Sequence, residues 1–289
     1  MNIKAQLKSA IRFILPVGFR KHVALWLNTH QWLSTYDYLT QSILRDLLRE
    51  DPKAFHKFFW SNHISSYAKG YDSENLFDMN RMEPSRREFF NDLIEVIKHL
   101  GFDSSKDIKS VLEVGCSLGY LLRFIETDVL SHTKELVGID IDGDAVDKGA
   151  NYLKRVGSKV QLIHGDMEDL DRLIGDRTFD LVFAAGVLSY LNVNDATQVI
   201  SRMLSRTGKV LALIGLASTT TNNSDLTESH LDESRGNQWV HNFKSMVETA
   251  GGHVVSCRWE GARLFNYQTI YAVFAVPSSK REVAPAGKS

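Results

Sequence analysis

Five short apolar runs, three of them closed by an acid or a glycine turn, constrain this 289-residue chain more than any other feature. Val111-Leu112-Glu113-Val114 carries one acid and runs into a tight turn bracketed by Gly115 and Gly119. Leu136-Val137-Gly138-Ile139 ends in Asp140, and the run from Val160 ends in Asp166. Phe179 to Leu188 is a fourth run, and Lys209 to Gly215 a fifth. Helical patterns separate them: Tyr120, Leu121, Leu122, Phe124 and Ile125 after the first, then stretches near 144–155 and 194–203. Such alternation predicts an α/β domain, a parallel sheet with helices on both faces. Ligands of such sheets bind beyond the carboxyl ends of the strands.

The turn after the first run is therefore the candidate site. Side chains at Gly115 or Gly119 would hold a ligand away from the backbone. N–H groups at the start of the following helix would favour a polar or anionic ligand. The turn is not a dinucleotide fingerprint, because Ser117 stands where a second Gly is needed and no third follows. Nor is it a phosphate loop, which would end in Gly-Lys-Ser/Thr.

The pattern Glu113-Val114-Gly115-Cys116-Ser117-Leu118-Gly119 resembles the first motif of the class I S-adenosylmethionine-dependent methyltransferases. The resemblance covers about Val111 to Gly215 and extends to Leu204-Ser205-Arg206-Thr207-Gly208-Lys209, which is similar to the turn before that family's fifth strand. It implies a Rossmann-like sheet of seven strands, the last antiparallel, with an N-terminal helical extension. The sixth and seventh strands are expected at Val254–Trp259 and Thr269–Val276. It also implies roles around S-adenosyl-L-methionine. Glu113 would accept from the cofactor's amino group through the loop or a water, the alternative being a strand-end acid facing solvent. Gly115, Cys116, Ser117 and Gly119 would form the loop. Asp140, with Ile141 beside it, would accept from the ribose hydroxyls. Asp166 would accept from the adenine amino group, and Met167 would pack on the ring. Ala184 and Ala185 would pass under the methionine end. For Asp140 and Asp166 the alternative is a cap or turn acid.

The fourth run narrows the chemistry. Enzymes of this resemblance that methylate exocyclic base nitrogens carry a polar residue and two prolines there. Ala184-Ala185-Gly186-Val187 has neither. No acid follows Asp180 until Asp195, so no metal site is expected. If the acceptor is a hydroxyl, a general base helps, and His is the commonest. His241, just before a helix cap at Asn242, is the first candidate, with His230, His63 and Tyr190 as others. Each is alternatively a structural or surface residue.

The remainder sets the context. A net charge of −1 argues against overall attraction to nucleic acid. Cys116 and Cys257 alone make no disulfide framework, which favours a reducing, cytoplasmic compartment. At the N-terminus, Ile3, Leu7, Ile11 and Ile14 share a helical face beside Lys4, Lys8 and Arg12. Arg20 and Lys21 follow, with Trp26 nearby and no acid before Asp37. Residues 1–34 then either dock over the catalytic domain or lie on a membrane surface. Residues 1–85 are expected to form this helical cap, 86–278 the methyltransferase domain, and 279–289 a disordered tail. Ser85 is expected to cap the helix before the first strand. The polar connection 216–241 shows no clear periodicity. The combined expectation is methyl transfer to a small-molecule, sugar or lipid-linked acceptor, more readily at oxygen. Transfer of an aminopropyl group on the same fold, or a non-catalytic scaffold at a membrane, are the alternatives.

Overall fold

In the computed structural model the apolar runs pair edge to edge. The structure describes residues 15–29, 34–62, 64, 83–232, 235, 238–264 and 268–278. The strands are β1 (Ser110–Val114), β2 (Glu135–Asp140), β3 (Val160–His164), β4 (Phe179–Ala185) and β5 (Thr207–Gly215). A short pair, β6 (His230–Asp232) and β7 (Gln238–Val240), precedes β8 (Gly252–Leu264) and β9 (Gln268–Pro277). Among the described residues the main sheet has seven strands in the order β3-β2-β1-β4-β5-β9-β8. β1 to β5 are parallel, and β9 runs antiparallel between β5 and β8. The strand order reverses between β1 and β4, so their carboxyl ends open the crevice where ligands of such sheets bind.

The helices, numbered along the chain, are α1 (Val17–Thr29), α2 (Ser34–Glu50), α3 (Pro52–Ser61), α4 (Pro84–His99), α5 (Tyr120–Phe124) and α6 (Gly143–Arg155), and those from Pro84 onward cover both faces of the sheet. After these come α7 (Leu170–Ile174), α8 (Val193–Ser205) and α9 (Phe243–Thr249). On one face, Phe89, Phe90, Leu93 and Ile97 of α4 pack with Val111, Phe183, Ala212 and Phe274. Phe89 stacks on Phe274 with centroids 5.4 Å apart, and Phe90 meets the edge of Phe183 at 6.1 Å. On the other face, Ala196, Val199, Ile200 and Met203 of α8 cover Leu112, Val182 and Leu211. Strand residues alternate between the two clusters because successive side chains point to opposite faces.

Several local expectations change. α4 opens on Pro84, whose fixed φ and missing N–H suit a first helical position. Glu83, not Ser85, occupies the cap position, and Ser85 is buried in the first turn. α5 ends at Phe124 and passes into a π-turn over Ile125–Val129, so Ile125 of the expected helical pattern lies beyond the α-helix. The connection 216–241 is not irregular throughout. Buried Asn223 donates to the carbonyls of Leu216 (2.9 Å) and His241 (2.8 Å) and accepts from the Ser218 N–H (2.7 Å). That staple closes a loop ending in the β6–β7 ladder. Asn242 does cap α9, accepting from Ser245 N at 3.0 Å.

The chain divides into two compact units, Met1–Ala68 and Lys69–Ser289. In the first, Ala24, Leu27, Leu44, Leu47, Phe55 and Phe58 form a helical core. Arg20, expected as part of a basic surface, is only 4% exposed and forms a two-pronged pair with Glu50 at 3.0 and 2.7 Å. Lys21 lies over the Phe58 ring. Phe19 and Trp26 are each 53% exposed. No described helix is long and apolar enough to cross a membrane. The amphipathic pattern of residues 3–14, His63 and the tail 279–289 fall outside the described residues.

Candidate active site

The turn after β1 is held from within. Gly115 and Gly119 have φ of +78° and +77°, a region L side chains rarely adopt. A Cβ at Gly115 would lie 2.6 Å from Val187. Ser117 also has positive φ, at 51°, and its N–H donates to Asp140 Oδ2 at 2.6 Å. Asp142 N donates to Asp140 Oδ1 at 2.9 Å. The N–H groups of Gly115 and Cys116 both reach the Ile139 carbonyl, at 2.8 and 3.1 Å, and Gly119 N reaches the Cys116 carbonyl at 2.8 Å. The expected row of ligand-facing N–H groups is therefore largely consumed in shaping the turn, and the five-residue α5 is too short to add a strong dipole. Cys116 is buried against Gly138, where a Cβ would lie 2.6 Å from its sulfur. Gly149 of α6 meets the turn from outside, and a Cβ there would come within 2.3 Å of the Leu118 carbonyl oxygen.

Acids line the inner edge. Glu113 is 1% exposed, and its Oε2 has no hydrogen-bond partner. The solvent-facing alternative for Glu113 is excluded. Burial, reinforced by the Asp140 carboxylate, pushes its carboxyl well above the usual range, while Arg86 pulls the other way. Burial likewise raises Asp140, against the backbone N–H groups of Asp142 and Ser117 that hold it down. Asp166 caps the turn Met167–Asp169, accepting from Glu168 N at 2.9 Å. The cap is the alternative reading of this acid, here realised by one of its oxygens. Met167 is half-buried beside it, and the Ile141 carbonyl lies 3.2 Å from His164 Nε2. Ala184 is buried, and Ala185 is half-buried at the end of β4 before Gly186 turns at φ +88°.

Arg86 joins this edge, and the sequence reading missed it. Its Nη2 donates to the Ala185 carbonyl at 3.4 Å and lies 3.2 Å from where a Gly186 Cβ would be. Its Nε is buried without a partner. In the sequence it lies 27 positions before Glu113, inside Arg86-Arg87-Glu88, which reads as the solvated side of an amphipathic helix.

The two catalytic candidates part company. His241 is 1% exposed. Its Nε2 faces the carbonyls of Leu188 (3.2 Å) and Leu191 (3.1 Å), so that nitrogen carries the hydrogen. Nδ1 then accepts from the Ser229 hydroxyl at 3.0 Å. Burial lowers its pKa from 6.5 to about 4, although the two carbonyls favour the charged ring. With both nitrogens engaged, His241 ties the connection to the turn Val187–Tyr190 and has no position left to take an acceptor's proton. This corrects its assignment as a base. Tyr190 closes that turn, with Gln238 Nε2 of β7 3.4 Å from its hydroxyl. His230 is exposed on β6.

Residues 111–208 match the family model of a methyltransferase domain. No curated protein sequence matches the chain. Magnesium protoporphyrin IX methyltransferase from Synechocystis PCC 6803, solved with bound S-adenosylhomocysteine, is similar in fold with a TM-score of 0.55. The identity is 14%, over 79% of this chain and all of that one. An S-adenosylmethionine-dependent methyltransferase from Clostridium acetobutylicum ATCC 824 gives a TM-score of 0.51 at 11% identity, over 74% of this chain and 99% of that one. Residues 111–208 thus carry the match to a methyltransferase domain, and the strand order and glycine turn give the chain the fold of these S-adenosylmethionine-dependent methyltransferases.

Proposed function

We propose that the enzyme methylates an oxygen of a small-molecule, sugar or lipid-linked acceptor, with the cofactor held along the carboxyl ends of β1, β2 and β3. The buried Glu113, with one oxygen unpartnered, carries this reading. A buried carboxylate without a partner is costly, and a cationic ammonium group would offset the cost. Asp140 is held by the backbone N–H groups of Asp142, Ser117 and Ile141, and the acceptor capacity its two oxygens keep would meet the ribose hydroxyls. Asp166 and Met167 would meet the adenine, and the bare backbone at Gly115 and Gly119 leaves room for the nucleoside.

Bound S-adenosylmethionine supplies an electrophilic methyl on a sulfonium, open to in-line displacement. The chain then contributes orientation and exclusion of water, the larger part of catalysis for such a displacement. Ala184, Ala185 and Gly186 present no side-chain acceptor for an exocyclic base amino group. Tyr190 is the remaining polar candidate to face the acceptor, beside Gln238.

Calorimetric titration of the full chain with S-adenosylhomocysteine should give micromolar affinity, about −8 kcal/mol, with no heat from NAD. Folded protein that gives no heat with either would reduce it to a scaffold. Incubation with methyl-labelled cofactor and a fractionated cell extract should label an O-methyl product. Label confined to N-methyl products would overturn the oxygen assignment.

We also propose that residues 1–34 contact a membrane surface. Exposed Phe19 and Trp26 support this, together with Lys4, Lys8 and Arg12. The paired Arg20 is not part of it. Sedimentation with anionic vesicles should be lost in a Phe19→Glu/Trp26→Glu double variant; equal sedimentation of variant and wild type would refute the contact.

A further inference from the structure

We propose that His164 positions the Asp140 carboxylate by gripping the peptide between Ile141 and Asp142, and that Gly143 is bare so that the ring can reach it. His164 acts through that peptide and is a positioning residue. This rests on the cofactor reading above, in which Asp140 meets the ribose.

His164 closes β3 in register with Asp140, which closes β2. Val160 and Leu162 of β3 pack with Leu153 of α6, and alternation along the strand puts His164 on the same face. The ring therefore meets the start of α6. Its Nε2 lies 3.2 Å from the Ile141 carbonyl oxygen. With an acceptor in front of it, that nitrogen carries the hydrogen and donates. Gly143 opens α6. A Cβ there would lie 3.1 Å from Cε1 of the ring and 3.3 Å from each ring nitrogen, the three nearest atoms it would meet. The ring itself is exposed, so it fills no core, and the hydrogen bond is what it contributes.

The Ile141 carbonyl and the Asp142 N–H belong to one planar peptide. That N–H donates to Asp140 Oδ1 at 2.9 Å. His164 and Asp140 thus hold opposite ends of a single rigid group. A donor on the carbonyl fixes the rotation of the plane and polarises the N–H, which strengthens its bond to the carboxylate. The flanks are fixed separately. Asp142 accepts from the Ala145 N–H at 3.0 Å and caps α6, and the Gly165 N–H donates to the Asp140 carbonyl at 2.8 Å. The plane between them is held by the histidine. At 3.2 Å its bond is at the long end of the useful range, so a shift of a few tenths of an ångström breaks it. A methyl group on Gly143 would force such a shift on the ring.

The test is calorimetric titration of the full chain with S-adenosylhomocysteine, with circular dichroism as the check on folding. His164→Ala should weaken binding about 3- to 10-fold, the range for one hydrogen bond between neutral groups. His164→Gln should restore most of the affinity, because its amide nitrogen can stand where Nε2 stands. His164→Asn, one bond shorter, should behave like His164→Ala. Gly143→Ala should reproduce the loss in the wild-type background and add nothing in the His164→Ala background, a coupling that the double-mutant cycle reads directly. Wild-type affinity in folded His164→Ala overturns the proposal. So does a loss in His164→Gln as large as that in His164→Asn, which also decides the matter if His164→Ala does not fold. A Gly143→Ala loss that persists without the ring overturns the role given to Gly143. Wild type that binds no S-adenosylhomocysteine would instead overturn the cofactor reading itself.

Discussion

Asp140→Ala is expected to weaken S-adenosylhomocysteine binding by at least about 100-fold. Two charge-assisted hydrogen bonds to ribose hydroxyls are worth about 3–6 kcal/mol together, or about 10²- to 10⁴-fold in affinity. The carboxylate has a second duty that the substitution also removes. It holds the Ser117 N–H at 2.6 Å and so keeps a non-glycine residue at a φ of 51°. Without that bond the turn between Gly115 and Gly119 can relax towards negative φ and close on the nucleoside position. Asp140→Asn separates the two effects. Its amide oxygen can still accept from Ser117, but it loses the charge and half of the acceptor capacity, so binding should fall between wild type and Asp140→Ala. Titration calorimetry reads the affinities, and circular dichroism confirms that each variant is folded. Wild-type affinity in folded Asp140→Ala would remove Asp140 from the cofactor site.

The fold was legible because its determinants are local. Each of the first four strands is a mostly apolar run, with Asp140 closing the second and Asp166 standing two residues past the third. Strand order was legible only through the family resemblance, since spacing alone does not say which parallel strands neighbour each other. The site was half legible. Gly115, Gly119 and Asp140 lie in or directly after a strand, so their positions follow from the strand assignment. Arg86 comes within electrostatic reach of Glu113 only through the packing of α4 on the sheet, which no local pattern encodes. The turn's N–H groups were misjudged for a related reason. A glycine turn read in isolation has donors to spare, but here the end of β2 takes three of them, two at the Ile139 carbonyl and one at Asp140. The β6–β7 pair escaped because three-residue strands give too little alternation to detect.

Stability should fall on mild acidification through His241, and the effect distinguishes a structural histidine from a catalytic one. In the folded protein the ring titrates at about 4, against 6.5 for the free side chain, because burial penalises the charged form. The unfolded chain therefore takes up this proton first as pH drops. The contribution is complete above about pH 6.5 and is lost progressively down to about pH 4. At about 1.36 kcal/mol per pH unit the full effect is about 3 kcal/mol. Glu113 and Asp140, both raised by burial, favour the folded state in the opposite direction, at low pH. The raw profile therefore mixes signs, and the informative quantity is the difference between wild type and His241→Gln. Glutamine can replace one of the ring's hydrogen bonds and does not titrate. Urea unfolding across pH 4 to 7 should show the wild-type advantage shrinking by about 3 kcal/mol towards the acid end. A difference that stays constant with pH would mean that the folded protein protonates His241 as readily as the unfolded chain does. The ring would then be accessible to protons, and its earlier candidacy as a base would reopen. Its bonds to Leu188, Leu191 and Ser229 argue for the first outcome. They make the histidine the clasp between the covering connection and the turn that carries Tyr190.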